Sequence, residues 1–176
     1  MVYLGIGSNL SSSFGSRFQN INFAIAYIQE EKIDLIKKSS FYETFSFPNK
    51  EDPKFINIVI AVKTNLSPQE LMQRLLFIEQ KLERKRFKKN DPRTCDIDII
   101  DYNNKIINFK LNKFSLKIPH QSLSTRNFVL HPLKEICPNW THPVSKKNID
   151  VLIKNLKKTN NDITKLTEND INNYVK

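Results

Sequence analysis

Asn90-Asp-Pro-Arg-Thr-Cys-Asp-Ile-Asp-Ile-Ile-Asp-Tyr102 passes from a charged, proline-containing loop into an apolar run that carries Asp96 and Asp98. In a β-strand, residues i and i+2 share a face, so both carboxylates project to one side with about 7 Å between their Cα atoms. Cys95, Ile97 and Ile99 then point the other way, into a core. Two neighbouring carboxylates repel each other unless a cation lies between them, and hard oxygen ligands suit Mg²⁺. Arg93 stands just before the pair. A divalent cation and a guanidinium together are what a polyphosphate needs, so the stretch reads as a metal–nucleotide site at the start of a buried strand. Asp-x-Asp is also a short pattern, common on the solvated face of ordinary strands. The rest of the chain has to decide between the two.

The chain has 176 residues and is 39% hydrophobic, enough for one domain, residues 1–176, with a proper core. No run approaches the roughly 18 apolar residues of a membrane span. The start, Met1-Val-Tyr-Leu-Gly-Ile-Gly7, lacks the basic region and cleavage site of a signal peptide. Cys95 and Cys137 show neither metal-ligand spacing nor a disulfide framework. The expectation is a cytoplasmic monomer with no membrane partner. A net charge of +10, from 28 basic and 18 acidic residues, admits a nucleic acid, a membrane surface or an anionic small substrate. Lys supplies most of the surplus, and a bias toward AT-rich codons produces the same excess, so charge alone decides nothing.

Val2–Gly7 reads as a first strand. Ser16-Arg-Phe-Gln19 has the form of a capping box, and Phe18, Ile21, Ile25 and Ile28 recur at helical steps. A second strand is expected over Leu35–Tyr42, a loop over Phe45–Lys54 and a third strand over Ile56–Thr64. Ser67-Pro-Gln-Glu70 caps a second helix whose buried stripe is Leu71, Leu75, Ile78 and Leu82. Arg84–Pro92 is a basic loop. Asp96–Tyr102 is the central strand, and Lys105–Asn108 is expected to pair with it through a turn at Asn103-Asn104. Asn127–Ile136 reads as a helix interrupted by Pro132, and Ile149–Leu156 as a last helix. A polar, frayed end is expected over about residues 159–176. This order fits an α+β sandwich of the ferredoxin-like kind, an antiparallel-rich sheet covered by helices.

Neither a P-loop nor a Gly-x-Gly-x-x-Gly cradle is present, so side chains must meet any phosphate charge. Arg84, Arg86, Arg93 and Arg126 are the candidates, since a guanidinium binds phosphate oxygens bidentately and stays protonated. His120, in a loop after Pro119, could donate a hydrogen bond to a phosphate. Phe55 and Phe128 could clamp a flat heterocycle while Asn57 reads its edge. Each of these residues also has an ordinary structural reading.

Taken together, Gly5-Ile-Gly-Ser-Asn-Leu10, Phe41-Tyr-Glu-Thr44, Phe55-Ile-Asn57, Ile78-Glu79 with Arg84, Pro92-Arg-Thr-Cys-Asp-Ile-Asp-Ile99, Ile118-Pro-His120 and Arg126-Asn-Phe-Val-Leu130 form an ordered series. It resembles that of the 6-hydroxymethyl-7,8-dihydropterin pyrophosphokinases of folate biosynthesis, from Tyr3 to about Pro138. The resemblance implies transfer of the pyrophosphoryl group of ATP to the pterin's hydroxymethyl oxygen, releasing AMP. It implies two Mg²⁺ ions on Asp96 and Asp98, and catalytic roles for these aspartates and for Arg84 and Arg93 on a mobile loop. Glu79, Arg84, Arg86, Arg93, Ile99, His120 and Arg126 would serve ATP. Thr44, Phe47, Phe55, Asn57 and Phe128 would serve the pterin.

The chain departs from that family's pattern at several places. Asn90 stands where the family usually has Trp, and Glu83 where a glycine commonly precedes the first loop arginine. The Arg84–Arg93 spacing is about one residue shorter, and the loop Ser11–Ser16 is longer. A competing reading, a ferredoxin-like RNA-binding module, would put aromatics on the central strand; this chain puts Asp96 and Asp98 there, which repel phosphate without a metal. No nucleic-acid partner is therefore expected. A catalytically lapsed relative is a further alternative, opposed by the intact Asp96, Asp98, Arg84 and Arg93.

Overall fold

The structure is a computed structural model that describes residues 1–85, 88, 91–111, 114–156 and 162–175. Its strands are β1 (Val2–Ser8), β2 (Asp34–Lys38), β3 (Tyr42–Thr44), β4 (Phe55–Lys63), β5 (Asp96–Tyr102), β6 (Ile107–Leu111), β7 (Phe114–Ile118) and β8 (Ile163–Lys165). The helices are α1 (Arg17–Glu30), α2 (Pro68–Lys81), α3 (Asn127–Ile136), α4 (Ile149–Lys154) and α5 (Glu168–Val175). The main sheet runs β5-β1-β4-β3-β8, with β2 also on β4, and every pairing in it is antiparallel. This is the expected ferredoxin-like sandwich.

Two cores flank the sheet because β4 is apolar on both faces. Ile56, Ile58, Ile60 and Val62 join α1 and α2 on one side, with Leu4, Ile6, Ile97 and Ile99. Val59 and Ala61 turn to the other side, where Leu130 and Leu133 of α3 and Leu152 of α4 cover them. The first two helices start where their caps dictate: Ser16 with Gln19 and Ser67 with Glu70 both form complete capping boxes.

Four expectations need correction. The second strand is not continuous, because buried Ser39 replaces part of the ladder: its hydroxyl accepts from Val59 N–H at 3.0 Å, and β2 and β3 separate there. Asn103 and Asn104 do turn, both with positive φ, but they do not return the chain along β5. Their N–H groups are taken by Met1 O and by the Asp101 carboxylate, and β6 pairs with β7 in a separate ribbon. Pro132 is accommodated inside α3, costing one intrahelical donor while its ring is buried. The described part of the polar end is not frayed: β8 pairs with β3, Leu166 enters the main core, and α5 follows. The signal was weak there because β8 is only three residues long and lies at the sheet edge. Among the described residues, no helix is long and apolar enough to cross a membrane.

One buried carboxylate ties the second core together. The β1–β5 register slips between Tyr3 and Leu4, which leaves Asp101 opposite Tyr3. Fully buried, it accepts from Trp140 Nε1 at 2.7 Å and from Asn104 N at 2.9 Å. Asp101→Ala strands both donors and should cost about 2–4 kcal/mol. Urea unfolding followed by the fluorescence of Trp140, the single tryptophan, measures it; a loss within a few tenths of a kcal/mol of zero would refute the assignment.

Candidate active site

Asp96 and Asp98 open β5 on the face that α3 covers only partly. Opposite them on β1 stand Gly7 and Gly5, and beyond these on β4 stand Asn57 and Val59. Neighbouring strands lie about 4.8 Å apart, so the aspartates and Asn57 face each other across about 10 Å of open floor. The floor depends on glycine: a Cβ on Gly7 would stand 3.0 Å from Asn57 Oδ1, and one on Gly5 would stand 3.2 Å from Ile100 Cδ1. Above it lies a cavity of about 450 Å³ lined by both aspartates, Arg93, Arg126 and, on the far side, Thr44, Phe55, Asn57 and Phe128. Sequence reasoning missed this use of Gly5 and Gly7, though their alternation along β1 was its signal.

Three guanidiniums meet three carboxylates at the charged end. Arg84 bridges Glu79 and Asp96, at 2.5 Å from the latter, and Arg93 reaches the second Asp96 oxygen at 2.6 Å. Arg126 lies 3.1 Å from Asp98. Two of these arginines also cap the aromatic rings of the opposite wall. The Arg93 guanidinium is 4.9 Å from the Phe55 ring centre, and that of Arg126 is 5.4 Å from that of Phe128. Burial pushes the Asp96 carboxyl up, but Arg93 and Arg84 outweigh it and hold the group below the usual range. Burial likewise raises Asp98, and the charge of Asp96 raises it further, against His120, Arg126 and Arg93. The two carboxylates are thus driven apart in acidity.

At the other end, Asn57 Nδ2 donates to Thr44 Oγ1 at 3.0 Å, which leaves the Asn57 carbonyl oxygen facing the Gly7 floor. Phe47 also lines the cavity but is 81% exposed. Asn9, which sequence reasoning assigned no role, joins the two ends. Its Oδ1 accepts from Arg93 N at 2.7 Å, and its Nδ2 donates to Pro53 O at 3.0 Å and Ser46 Oγ at 3.3 Å. Buried Asn9 therefore holds the arginine segment and the loop before β4 in one frame.

The remaining expected residues stand behind this surface. Glu79 is buried and does not line the cavity; it accepts from Ile97 N at 2.8 Å and braces Arg84. Ile99 is buried in the main core, pointing away from the aspartates. His120 lies beside β5, its N–H bonded to Ile100 O, and its Nδ1 accepts from Ser122 N at 3.1 Å. Burial pushes its imidazole below the ordinary value despite the pull of Asp98. Arg86 and Asn90 lie outside the described residues. Glu83 takes a left-handed backbone, φ 63, where glycine is favoured. Its carboxylate accepts from Ser13 N at 3.0 Å and Ser13 Oγ at 2.6 Å, so the longer first loop supports the non-glycine residue.

A wall of paired carboxylates and guanidiniums facing an aromatic and amide wall suits a transferase that brings a polyphosphate to a flat polar heterocycle. Residues 3–138 match the family described as 7,8-dihydro-6-hydroxymethylpterin-pyrophosphokinase, and the chain belongs to it. It is 40% identical over 146 residues to the 2-amino-4-hydroxy-6-hydroxymethyldihydropteridine pyrophosphokinase of Aquifex aeolicus, covering 83% of this chain and 86% of that one. The folic acid synthesis protein fol1 of Pneumocystis carinii is 38% identical over 148 residues, covering 84% of this chain but only 19% of that longer one. The solved HPPK-DHPS of Plasmodium falciparum shares the fold, with a TM-score of 0.67 at 16% identity over 93% of this chain and 47% of that one. The chain is a pyrophosphokinase of folate biosynthesis that moves the pyrophosphoryl group of ATP onto 6-hydroxymethyl-7,8-dihydropterin, giving AMP and the pterin diphosphate.

The opposite shifts of the two aspartates give a pH test with a defined sign. Above the ordinary value of 3.8, the folded protein holds the Asp98 proton longer than the unfolded chain does, so this group lowers stability as pH rises through its raised pKa. Asp96 contributes stability above 3.8 that is lost as pH falls through its lowered pKa. Asp98→Asn should therefore remove a fall in stability on the neutral side of 3.8 and leave the acid limb in place. Denaturant midpoints from pH 3 to 7 check this; an unchanged profile on the neutral side would exclude the raised Asp98.

Proposed function

We propose that the charged wall binds the ATP triphosphate and the aromatic wall the pterin, so that the hydroxymethyl oxygen meets the β-phosphorus over the Gly5–Gly7 floor. The observation that carries this is the register that sets Asp96 opposite Asn57 and Asp98 opposite Val59, with only Gly7 and Gly5 between. Phe55 and Phe128 would stack on the pterin, Thr44 and Asn57 would read its edge, and Phe47 would close over it from the exposed loop. Arg84, Arg93 and Arg126 would exchange carboxylate partners for phosphate oxygens as the nucleotide enters. The buried Nε–H of Arg93, which has no hydrogen-bond partner among the described residues, is a donor for that exchange. His120 Nε2 would donate to the phosphates, while Glu79 would hold Arg84 in reach.

Among the described residues, no three His, Cys, Asp or Glu side chains converge as a closed metal cage. Two carboxylates with an open cavity beside them instead fit Mg²⁺, which keeps waters and shares its shell with substrate phosphates. Asp96 and Asp98 would hold two such ions. When bound, Mg²⁺ supplies neutralisation of the triphosphate and alignment of the attacking and leaving oxygens. As the new O–P bond forms, the bond between the α-phosphate oxygen and the β-phosphorus breaks. Arg84 and Arg93 meet the charge that shifts toward departing AMP, and the hydroxyl proton leaves to solvent. The chain would act as a cytoplasmic monomer, which a light-scattering mass of one chain checks.

Formation of AMP from Mg-ATP and 6-hydroxymethyl-7,8-dihydropterin is the direct test of these roles. Asp96→Ala or Asp98→Ala should each lower the rate on the order of a thousandfold, matching several kcal/mol of lost transition-state stabilisation. Near-normal turnover of either variant in Mg²⁺ would overturn the metal assignment. Phe128→Ala and Asn57→Ala should each weaken pterin binding about tenfold while sparing the nucleotide. Equal losses for both ligands with a lowered melting temperature would mark these side chains as core instead.

A further inference from the structure

The family match ends at residue 138, yet β8 and α5, well beyond it, are built into the pterin side of the sheet. Strand β3 has only three residues and lies between β4 and β8: Thr44 is opposite Phe55 on one side and Ile163 on the other. Without β8, the outer backbone groups of this short strand would form an open edge, and Thr44 would be held in register from the β4 side alone. Leu166 anchors β8 from below, buried in the main core, with its N–H bonded to Phe41 O at 2.9 Å.

Glu43 is the second link. Nearly buried, it accepts from Lys54 Nζ at 3.0 Å and from Tyr174 Oη of α5 at 2.9 Å, with Arg17 of α1 at 3.8 Å. The Tyr174 ring is held in turn by Phe18, 5.6 Å away between centroids, and by the Arg17 guanidinium at 5.3 Å. Lys54 immediately precedes Phe55, so α5 is joined through one carboxylate to the residue before the aromatic wall. A third link is Asp162, which lines the active-site cavity itself. It pairs with Lys50 at 3.4 Å, and Lys50 and Lys54 both lie over the Phe45 ring, at 5.4 and 4.9 Å. Phe45 is another wall of the same cavity.

We propose that β8 and α5 are a positioning element for pterin recognition, acting through β3, Glu43 and the lysine-held Phe45. The proposal rests on the assignment of Thr44, Phe55, Asn57 and Phe128 to the pterin. Asp96 and Asp98 lie at the opposite edge of the sheet, on β5, so the element governs one ligand and not the other.

The test is titration calorimetry on full-length variants, with a non-hydrolysable ATP analogue in Mg²⁺ measured alone and the pterin measured on protein saturated with that analogue. Leu166→Ala should raise the pterin dissociation constant about tenfold through a loosened β3, and Tyr174→Phe about threefold through one lost charge-assisted hydrogen bond. The nucleotide constant should stay within about twofold in both. In a Glu43→Ala background, Tyr174→Phe should have a much smaller effect, because the acceptor of its hydroxyl is already gone. Unchanged pterin affinity in both variants overturns the proposal, as does an equal weakening of both ligands, which marks a general stabiliser of the fold. Should Leu166→Ala fail to fold, Tyr174→Phe decides alone, since it removes a single hydroxyl. Failure of the unsubstituted chain to bind pterin is a different result: it removes the underlying assignment, and the proposal with it.

Discussion

β1 is paired on both sides, and its register is the constraint on which the site depends. Antiparallel pairing sets Asp96 against Gly7 and Asn57, and Asp98 against Gly5 and Val59, in two rows that cross three strands. Side chains alternate along a strand, so a slip of one residue would turn the aspartates into the core occupied by Ile97 and Ile99. The apolar faces of β1 and β4 forbid that slip, because Leu4, Ile6, Ile58 and Ile60 would have to leave the core with it. Burial on the α1–α2 side thereby fixes the chemistry on the α3 side.

Charge makes the open face affordable in the free protein. Asp96 is too enclosed to be stable as an isolated anion, and Arg84 and Arg93 neutralise it in two directions. Arg93 and Arg126 also rest on Phe55 and Phe128, so the cations bridge the two walls before any ligand arrives. A polyphosphate brings its own anionic oxygens, and a cation brings its own claim on the carboxylates. The same guanidiniums can then change partners without a net loss of ion pairing, as the proposed roles require. Asn9 adds a fixed frame, since one buried amide bonds to the arginine segment and to the loop before β4.

Much of this was readable from residue order. The caps at Ser16 and Ser67, the stripes of α1 and α2, and the Asp96–Asp98 alternation all rest on local rules of spacing, and each is found as expected. The errors fall where a side chain competes with the backbone ladder or where a partner is distant in sequence. Ser39 splits a strand by offering its hydroxyl to Val59, and Asp101 takes the Asn104 N–H that would otherwise serve a hairpin. Strand β8 was missed because three polar-flanked residues carry no period; only β3 and the core position of Leu166 make them a strand.

The amino-acid sequence by itself determined which groups are available and which of them share a face: two carboxylates at i and i+2, arginines on either side, glycines at alternate positions of β1, and helices that begin at capped serines. These follow from the geometry of one strand or one helix, which needs no partner to be predicted. Tertiary structure alone decided which faces meet. It put Glu79 behind Arg84 rather than in the cavity, buried Ile99, and gave Asn9 its three partners from two loops. It also brought the C-terminal Tyr174 to Glu43, 131 positions away. Such contacts come from strand pairing and core burial acting across the whole chain, and those forces depend on every residue of the sheet at once.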